Sequence, residues 1–255
     1  MYKKWLCSFF IFVTLSHLAG ERIMTYNVLN YQGSISGDSE KEIALRMIIG
    51  STDPDLVVVE EINNTTGYNR FLSHILNYNQ EGIYSGADFT DQSTADVDIA
   101  LYYKPDVFSF VSTSVINTTN NWGNRDVIEF VMKHIESNEE IRLYGLHLKA
   151  GTGGNDETER EQEATALRNY LNTLNPAEHF FVLGDFNFYD SNEGGFQVLT
   201  ESQEDNDGQV FDPINRIGNW HNILSFSDVH TQSTRLPNYG DGGASGGMDD
   251  RFDFI

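Results

Sequence analysis

The run His179-Phe180-Phe181-Val182-Leu183-Gly184-Asp185-Phe186-Asn187-Phe188 decides how the rest of the chain is read. It is an apolar strand that delivers an Asp and an Asn, two residues apart, at its end. Side chains alternate along a strand, so residues two apart face the same side, and Asp185 and Asn187 can converge on one reacting group. A carboxylate there holds a proton or a metal, while an amide donates hydrogen bonds to developing charge. Taken alone, Gly-Asp-x-Asn is equally a strand ending in polar turn residues, and the remaining segments must decide.

Around this strand the chain alternates strand-like and helix-like segments. The patterning predicts strands at Arg22–Leu29, Asp55–Ile62, Val97–Tyr103, Val107–Ile116, Asp126–His134, Ile141–Leu148, His179–Phe186 and Asp250–Ile255. Ser39-x-x-Glu42 is a capping box opening a helix that ends near Gly50, and Thr65–Asn77 reads as a second helix. The clearest helix is Glu157–Leu174, with Asp156 as N-cap and a core stripe of Ala164, Leu167, Leu171 and Leu174. Short turns between the central strands predict antiparallel neighbours, so the sheets are mixed and the class is α/β. Gln203–Gly208 lacks the first-position Asp and twelfth-position Glu of a calcium loop and reads as a solvated acidic loop. Gly240–Gly247 is a flexible loop ahead of the last strand. Asn63, Asn64 and Asn117 match glycosylation sequons, which carry no meaning in a bacterial host.

The first twenty residues read as an export signal: Lys3 and Lys4 precede the apolar stretch Trp5–Leu15, too short to span a membrane, and His17-Leu18-Ala19-Gly20 offers small residues for cleavage. The expected product is secreted or periplasmic, with one domain over residues 21–255 and no stable membrane association. The single cysteine, Cys7, falls in the leader, so no disulfide supports the domain. The whole chain carries a net charge of -22, and all 38 acidic residues follow residue 20. That excludes binding nucleic acid through a broad basic patch. It leaves a nuclease open, because divalent cations bridge acidic groups to phosphate. Nothing demands more than a monomer.

Several polar residues stand at strand ends. Asn27 follows Ile23-Met24-Thr25-Tyr26, Glu61 closes the run after Leu56–Val59, His147 stands in Leu146-His147-Leu148-Lys149, and Asp185 and Asn187 complete the set. Together with Asp250-Arg251-Phe252-Asp253-Phe254-Ile255, the segments Thr25-Tyr26-Asn27-Val28, Asp55–Ile62, His147-Leu148-Lys149-Ala150-Gly151 and Gly184–Asn187 resemble the endonuclease/exonuclease/phosphatase superfamily, the group of deoxyribonuclease I, abasic-site endonucleases, sphingomyelinases and inositol polyphosphate 5-phosphatases. The five motifs occur in that family's order and span nearly the whole chain after the leader.

The resemblance implies a four-layer α-β-β-α sandwich of two mixed sheets, deoxyribonuclease I-like, and metal-dependent hydrolysis of a phosphate ester. It implies Glu61 as metal ligand, Asn27 at metal and phosphate, Asp185 as the carboxylate that orients or deprotonates water, and Asn187 as a phosphate-contacting amide. It implies His147 as a histidine that contacts or protonates phosphate oxygens, Asp253 as a carboxylate paired with a catalytic histidine, and Arg125 as a phosphate contact, against a plain surface ion pair. Glu61 suits Mg²⁺ or Mn²⁺, with Ca²⁺ as an alternative structural or co-activating ion. His147 acts as a cation or acid near pH 7 only if a carboxylate holds up its pKa, and Asp98 is the candidate for that partner. In the family a further segment with an Asp-His pair follows the strand that here ends at Ile255, so a clipped C-terminus and impaired catalysis are expected. Asp228 and His230 do not replace that pair and read as loop residues. The leading expectation is an endonuclease on extracellular DNA or RNA. The alternatives are a phospholipid or inositol phosphate hydrolase, docking through Phe108, Phe110 and Trp122, and a non-catalytic binding protein on the same fold.

Overall fold

The computed structural model describes residues 20–33, 39–91, 98–118, 125–175 and 178–255. Residues 1–19, which include Cys7 and nearly all of the expected leader, and also Val97 and Trp122, lie outside the described residues. Strands β1 (Ile23–Tyr31), β2 (Leu56–Ile62), β3 (Ser85–Gly86) and β4 (Asp98–Tyr103) form one sheet in the order β1-β2-β4-β3; β5 (Phe108–Ile116), β6 (Val127–His134), β7 (Glu140–His147), β8 (His179–Asp185) and β9 (Asp253–Phe254) form the other in chain order. β1 and β2 pair parallel, as do β7 and β8, while every other pair is antiparallel. Both sheets are therefore mixed, as expected. β5–β6 and β6–β7 pair antiparallel as expected, but β4 and β5 belong to different sheets.

Three apolar clusters separate four layers. Leu45 and Ile49 of α1 (Glu40–Thr52) and Phe71 and Ile75 of the second helical segment pack on Val57, Val59 and Tyr102 of the first sheet. Leu56, Val58, Ile99 and Leu101 meet Phe130, Met132, Leu143 and Leu183 between the sheets. Ala164, Leu167 and Leu171 of α3 (Gly154–Leu171) and Phe196 and Leu199 of α4 (Gly194–Thr200) cover Tyr144, Leu146 and Val182. β2 feeds alternate side chains into two of these clusters, which is why all seven of its residues are buried and it reads as a continuous apolar run.

The Ser39–Glu42 capping box forms as expected. The second helix starts as α2 (Thr65–Arg70), N-capped by Asn64, whose Oδ1 accepts from Gly67 N–H at 2.9 Å, and continues as a π-helical stretch over Phe71–Leu76. α3 begins earlier than expected: Gly153 is its N-cap, and Asp156 lies three residues on, its carboxylate accepting from Gly153 N–H at 3.0 Å. An Asp at that position serves the same first turn from inside the helix, which explains the three-residue offset.

Gly145 on β7 faces the other sheet; a Cβ there would lie 2.8 Å from Ile99 Cγ2 and 3.2 Å from Val58 Cγ1. Its bare backbone lets the sheets close near the end where His147 emerges.

Candidate active site

The C-terminal ends of the parallel pairs β1–β2 and β7–β8 open on one cleft of about 1160 Å³. Asn27, Glu61, Arg125, His147, Asp185, Asn187 and Asp253 all line it. The register explains the convergence: His147 lies opposite Asp185 on β7–β8, Asp185 opposite Asp253 on β8–β9, and Asn27 next to the end of β2 on β1.

Glu61 reaches the cleft through a distortion. Consecutive residues of a strand point to opposite faces, and Glu60 takes the inner one, fully buried, with Thr25 Oγ1 donating to Oε1 at 2.6 Å. Burial first, then repulsion from Asp253 and Asp185, raises its pKa against the Thr25 bond. Glu61 adopts φ +64° where the register with β4 shifts. Its Oε1 accepts from Asn27 Nδ2 at 2.9 Å and its Oε2 from the backbone N–H of Asn30 at 2.8 Å. Asn27 Nδ2 also donates to Asp185 Oδ2 at 3.0 Å, and its Oδ1 accepts from Leu29 N–H at 2.8 Å. One amide thus spaces the two carboxylates.

Asp185 Oδ1 accepts from Asn187 N–H at 3.1 Å, a turn made possible by φ +53° at Asn187. Burial pushes the Asp185 carboxyl above the usual carboxylate range; the Asn27 bond and Arg125 pull it down, and Glu61 adds to the rise. Burial and then Asp185 itself raise Asp253 likewise. Thr231, a contributor absent from the sequence reading, accepts from both Phe252 and Asp253 N–H at 3.0 Å. A lone Thr in a loop carries no signal that would have singled it out.

His147 is 2% exposed; its Nε2 lies 3.6 Å from Asp185 Oδ2 and 4.0 Å from Glu61 Oε1, and its Nδ1 has no hydrogen-bond partner among the described residues. Burial first, then Arg125, lowers its pKa. The expected pairing with Asp98 is therefore corrected. Asp98 opens β4 opposite Ile62, and the carboxylates near His147 are those of Asp185 and Glu61, too distant for a good hydrogen bond. His147 is a neutral imidazole, with Nε2–H toward the carboxylates as the favoured tautomer.

Arg125 is drawn into the cleft rather than forming a surface ion pair. Its Nη1 donates to Leu148 O at 2.9 Å, and Asp185, Glu61 and Glu163 face it. Asn187 Nδ2 donates to the same carbonyl at 3.0 Å. Asp228 pairs with Arg216 at 3.3 Å, and the His230 ring is held between Met248 O and Trp220 O, both at 3.0 Å; the two border the cleft as loop residues. In the loop Gln203–Gly208 the side chains serve their own turn, with Asn206 Oδ1 accepting from Gln203 N–H and Asp205 Oδ1 from Asp207 N–H.

The donor set fits a hard divalent cation. Glu61, Asp185 and Asp253 stand together at the strand ends with Arg125 and His147 beside them, and burial first, then mutual repulsion, makes Asp185 and Asp253 hold their protons more tightly than ordinary carboxyls. No three His, Cys, Asp or Glu side chains among the described residues form a closed cage. Mg²⁺, which keeps several waters, does not require one. Glu61 and the Asn27 amide oxygen are the groups that would hold it.

Among solved structures, the human Nocturnin catalytic domain with bound sulfate is similar at 22% identity and a TM-score of 0.56, over 71% of this chain and 70% of that one. D. rerio TDP2 complexed with single-strand DNA product shows 14% identity and a TM-score of 0.51, over 67% and 62%. A Bacteroides thetaiotaomicron mannosyl-6-phosphatase shows 18% identity and a TM-score of 0.50, over 70% and 69%. At these identities the likeness establishes the fold. Comparison with curated proteins gives no sequence match. The model of the Endonuclease/Exonuclease/phosphatase family matches residues 24–255, from β1 through β9, and the chain belongs to that family.

Proposed function

We propose that the protein is an exported, divalent-metal-dependent phosphodiesterase that cleaves nucleic acid, DNA or RNA, as an endonuclease. The observation that carries this reading is the convergence of Glu61, Asn27, Asp185, Asn187, His147 and Arg125 on one cleft. The complex of the related TDP2 fold with single-strand DNA, and the sulfate bound by Nocturnin, support an anionic tetrahedral substrate. Export, through residues 1–20, is part of the proposal.

A phosphodiester repels hydroxide, so catalysis is mostly charge neutralisation and positioning. When bound, Mg²⁺ or Mn²⁺ neutralises the non-bridging oxygens and the leaving alkoxide. Asp185, held in orientation by Asn27 and Asn187, positions the attacking water and accepts its proton, a task its raised pKa favours near neutrality. Arg125 and the second N–H of Asn187 donate to phosphate oxygens. His147, neutral, donates from Nε2 rather than acting as a cation. Burial first, with Glu61 adding to the rise, keeps the Asp185 carboxyl basic, and Asp253 packs beside it as a second raised carboxyl.

Plasmid nicking in Mg²⁺ against EDTA tests the reading. Asp185→Ala and His147→Ala are each expected to lower the rate about 10²-fold or more with folding intact; near-normal turnover by either removes it from the site. Phosphate-ligand affinity without turnover between about pH 5 and 9, where histidine titrates, would replace the enzyme with a binding protein.

A lipid-hydrolase reading retains one specific support. Phe108 is buried at 3%, so the hairpin expected to dock on membranes does not present it, but Phe211, Leu224 and Leu236 are 75%, 85% and 72% exposed on the loops that follow α4. Release of phosphocholine from sphingomyelin vesicles without plasmid nicking would put that reading first.

A further inference from the structure

Lys41 is out of place for the helix that carries it. It is the second residue of α1, where the helix dipole favours anions, and its neighbours Glu40 and Glu42 obey that preference. It is half-buried, which a solvated lysine at a helix start has no reason to be. Its Nζ donates to the carbonyl of Leu29 at 2.5 Å and lies 5.8 Å from the centre of the Tyr31 ring.

Leu29 and Asn30 are consecutive non-glycine residues in the left-handed region, φ +49° and +52°, at the point where the β1–β2 register shifts between Asn27 and Tyr31. Such residues are strained and persist only where their surroundings hold them. The bulge has a direct product: Leu29 N–H fixes the Asn27 amide oxygen, and Asn30 N–H fixes Glu61 Oε2. From outside, Asn30 Nδ2 also reaches Asp241 O at 3.2 Å. The charged groups facing Lys41 are Glu61 and Asp241.

We propose that Lys41 is a positioning residue for the metal carboxylate: bound to the Leu29 carbonyl, it holds the left-handed bulge whose amides set Asn27 and Glu61. The assignment rests on the reading of Glu61 as a metal ligand. It acts against the simple electrostatic expectation, since a cation near Glu61 repels a metal ion. That opposition makes the sign of the effect diagnostic.

The experiment measures Mn²⁺ binding by electron paramagnetic resonance and exchange of the Asn30 amide in EDTA, on the intact chain, for Lys41→Met, Lys41→Gln, Lys41→Arg and Glu61→Gln. Loss of a charged hydrogen bond to the bulge is expected to weaken Mn²⁺ binding about tenfold or more and to speed Asn30 exchange by a similar factor in the Met and Gln variants. Arg, which can still donate, restores both to within about threefold. Two neutral replacements are used so that misfolding of one, visible in the circular dichroism spectrum, still leaves a measurement. Tighter Mn²⁺ binding in Lys41→Met or Lys41→Gln, or unchanged Asn30 exchange, overturns the proposal in favour of a charge effect alone. If Glu61→Gln weakens Mn²⁺ binding and the lysine variants do not, the role of Lys41 fails while the site stands. If Glu61→Gln changes nothing, Glu61 is not a ligand and both readings fall.

Discussion

Replacing Gly184 with alanine tests the geometry that delivers Asp185. Gly184 has φ +137° and pairs with Leu146 across the parallel strands β7 and β8; a Cβ there would overlap the Leu146 carbonyl oxygen and lie 3.0 Å from the carbonyl carbon and amide nitrogen of the same residue. All three are backbone atoms, so no side-chain rotation relieves the overlap, and the strands must separate. The backbone conformation costs about 1–2 kcal/mol for a residue with a Cβ, and loss of two or three ladder bonds costs about 0.5–1.5 kcal/mol each. The sum, about 2–6 kcal/mol, is a large part of an ordinary domain's stability. At about 2–4 °C per kcal/mol for a domain of this size, the thermal midpoint should fall by about 4–25 °C. Displacement of Asp185 by about an ångström should also cost on the order of 10²-fold in rate. Gly154 is the control: it opens α3 with nothing within 4 Å of a would-be Cβ, and alanine there should be neutral or gain up to about 1 kcal/mol. Thermal melts followed by circular dichroism, with plasmid nicking, give both readouts. A Gly184→Ala protein melting within about 2 °C of wild type would refute the reasoning.

Other expectations concern titrating and buried charges. Burial alone would raise the Glu42 carboxyl, but bonds from Arg70, Tyr31 and the Ser39 N–H hold it down at about 2, so its stabilisation is full above the model-peptide value of 4.5 and is lost as pH falls through about 2. In urea titrations Glu42→Gln should cost about 2–3 kcal/mol at pH 7, with the gap to wild type closing in acid; a gap independent of pH would refute it. Asp253 titrates the other way: a raised carboxyl costs nothing below its unfolded value and costs most above its folded one. Asp253→Asn should therefore raise the melting temperature in EDTA at about pH 8 but not near pH 4, and an equal shift at both would refute the repulsion from Asp185. Arg160→Met, which strands the buried Glu193 now bonded at 2.8 Å, should lose about 3–5 kcal/mol, and adding Glu193→Leu should recover most of it by differential scanning fluorimetry.

Much of the fold was legible because each element carried a complete local signal. β2 reads as buried from Leu56-Val57-Val58-Val59 alone, α1 is announced by Ser39 and Glu42, and the α3 stripe of Ala164, Leu167 and Leu171 is wholly buried. The start of α3 was misplaced because an Asp is favoured both at the cap and at N3; here it reaches back from N3 to Gly153 N–H instead of forward from the cap. The split of β4 and β5 between sheets has no local signature, since both flank a short turn as hairpin strands do. At the site, residue identity and spacing were readable, but charge state was not. Whether His147 is an acid or a neutral donor depends on its burial and on Arg125, and the choice of Glu61 over Glu60 depends on a backbone kink. Arg125 likewise could not be told from a surface arginine until its strand was placed beside Leu148.

The two buried arginines of α3 give its ends different chemistry. Near the site, Arg160 is bonded to Glu193 and to the carbonyls of Lys149 and Gly151. One turn from the other end, Arg168 donates only to neutral oxygens, those of Asn172, Val198, Leu199, Asp205 and Asn206. Glu193 already holds its proton more tightly than an ordinary glutamate, chiefly because it is buried. Acid that protonates Glu193 therefore weakens one of the three bonds of Arg160, leaves its two carbonyl bonds in place, and has nothing to protonate at the second arginine. Glu193 is the N-cap of α4, so acid should loosen the start of α4 from α3 while the carbonyl bonds of both arginines keep α3 seated on the Lys149–Gly151 loop and on the end of α4.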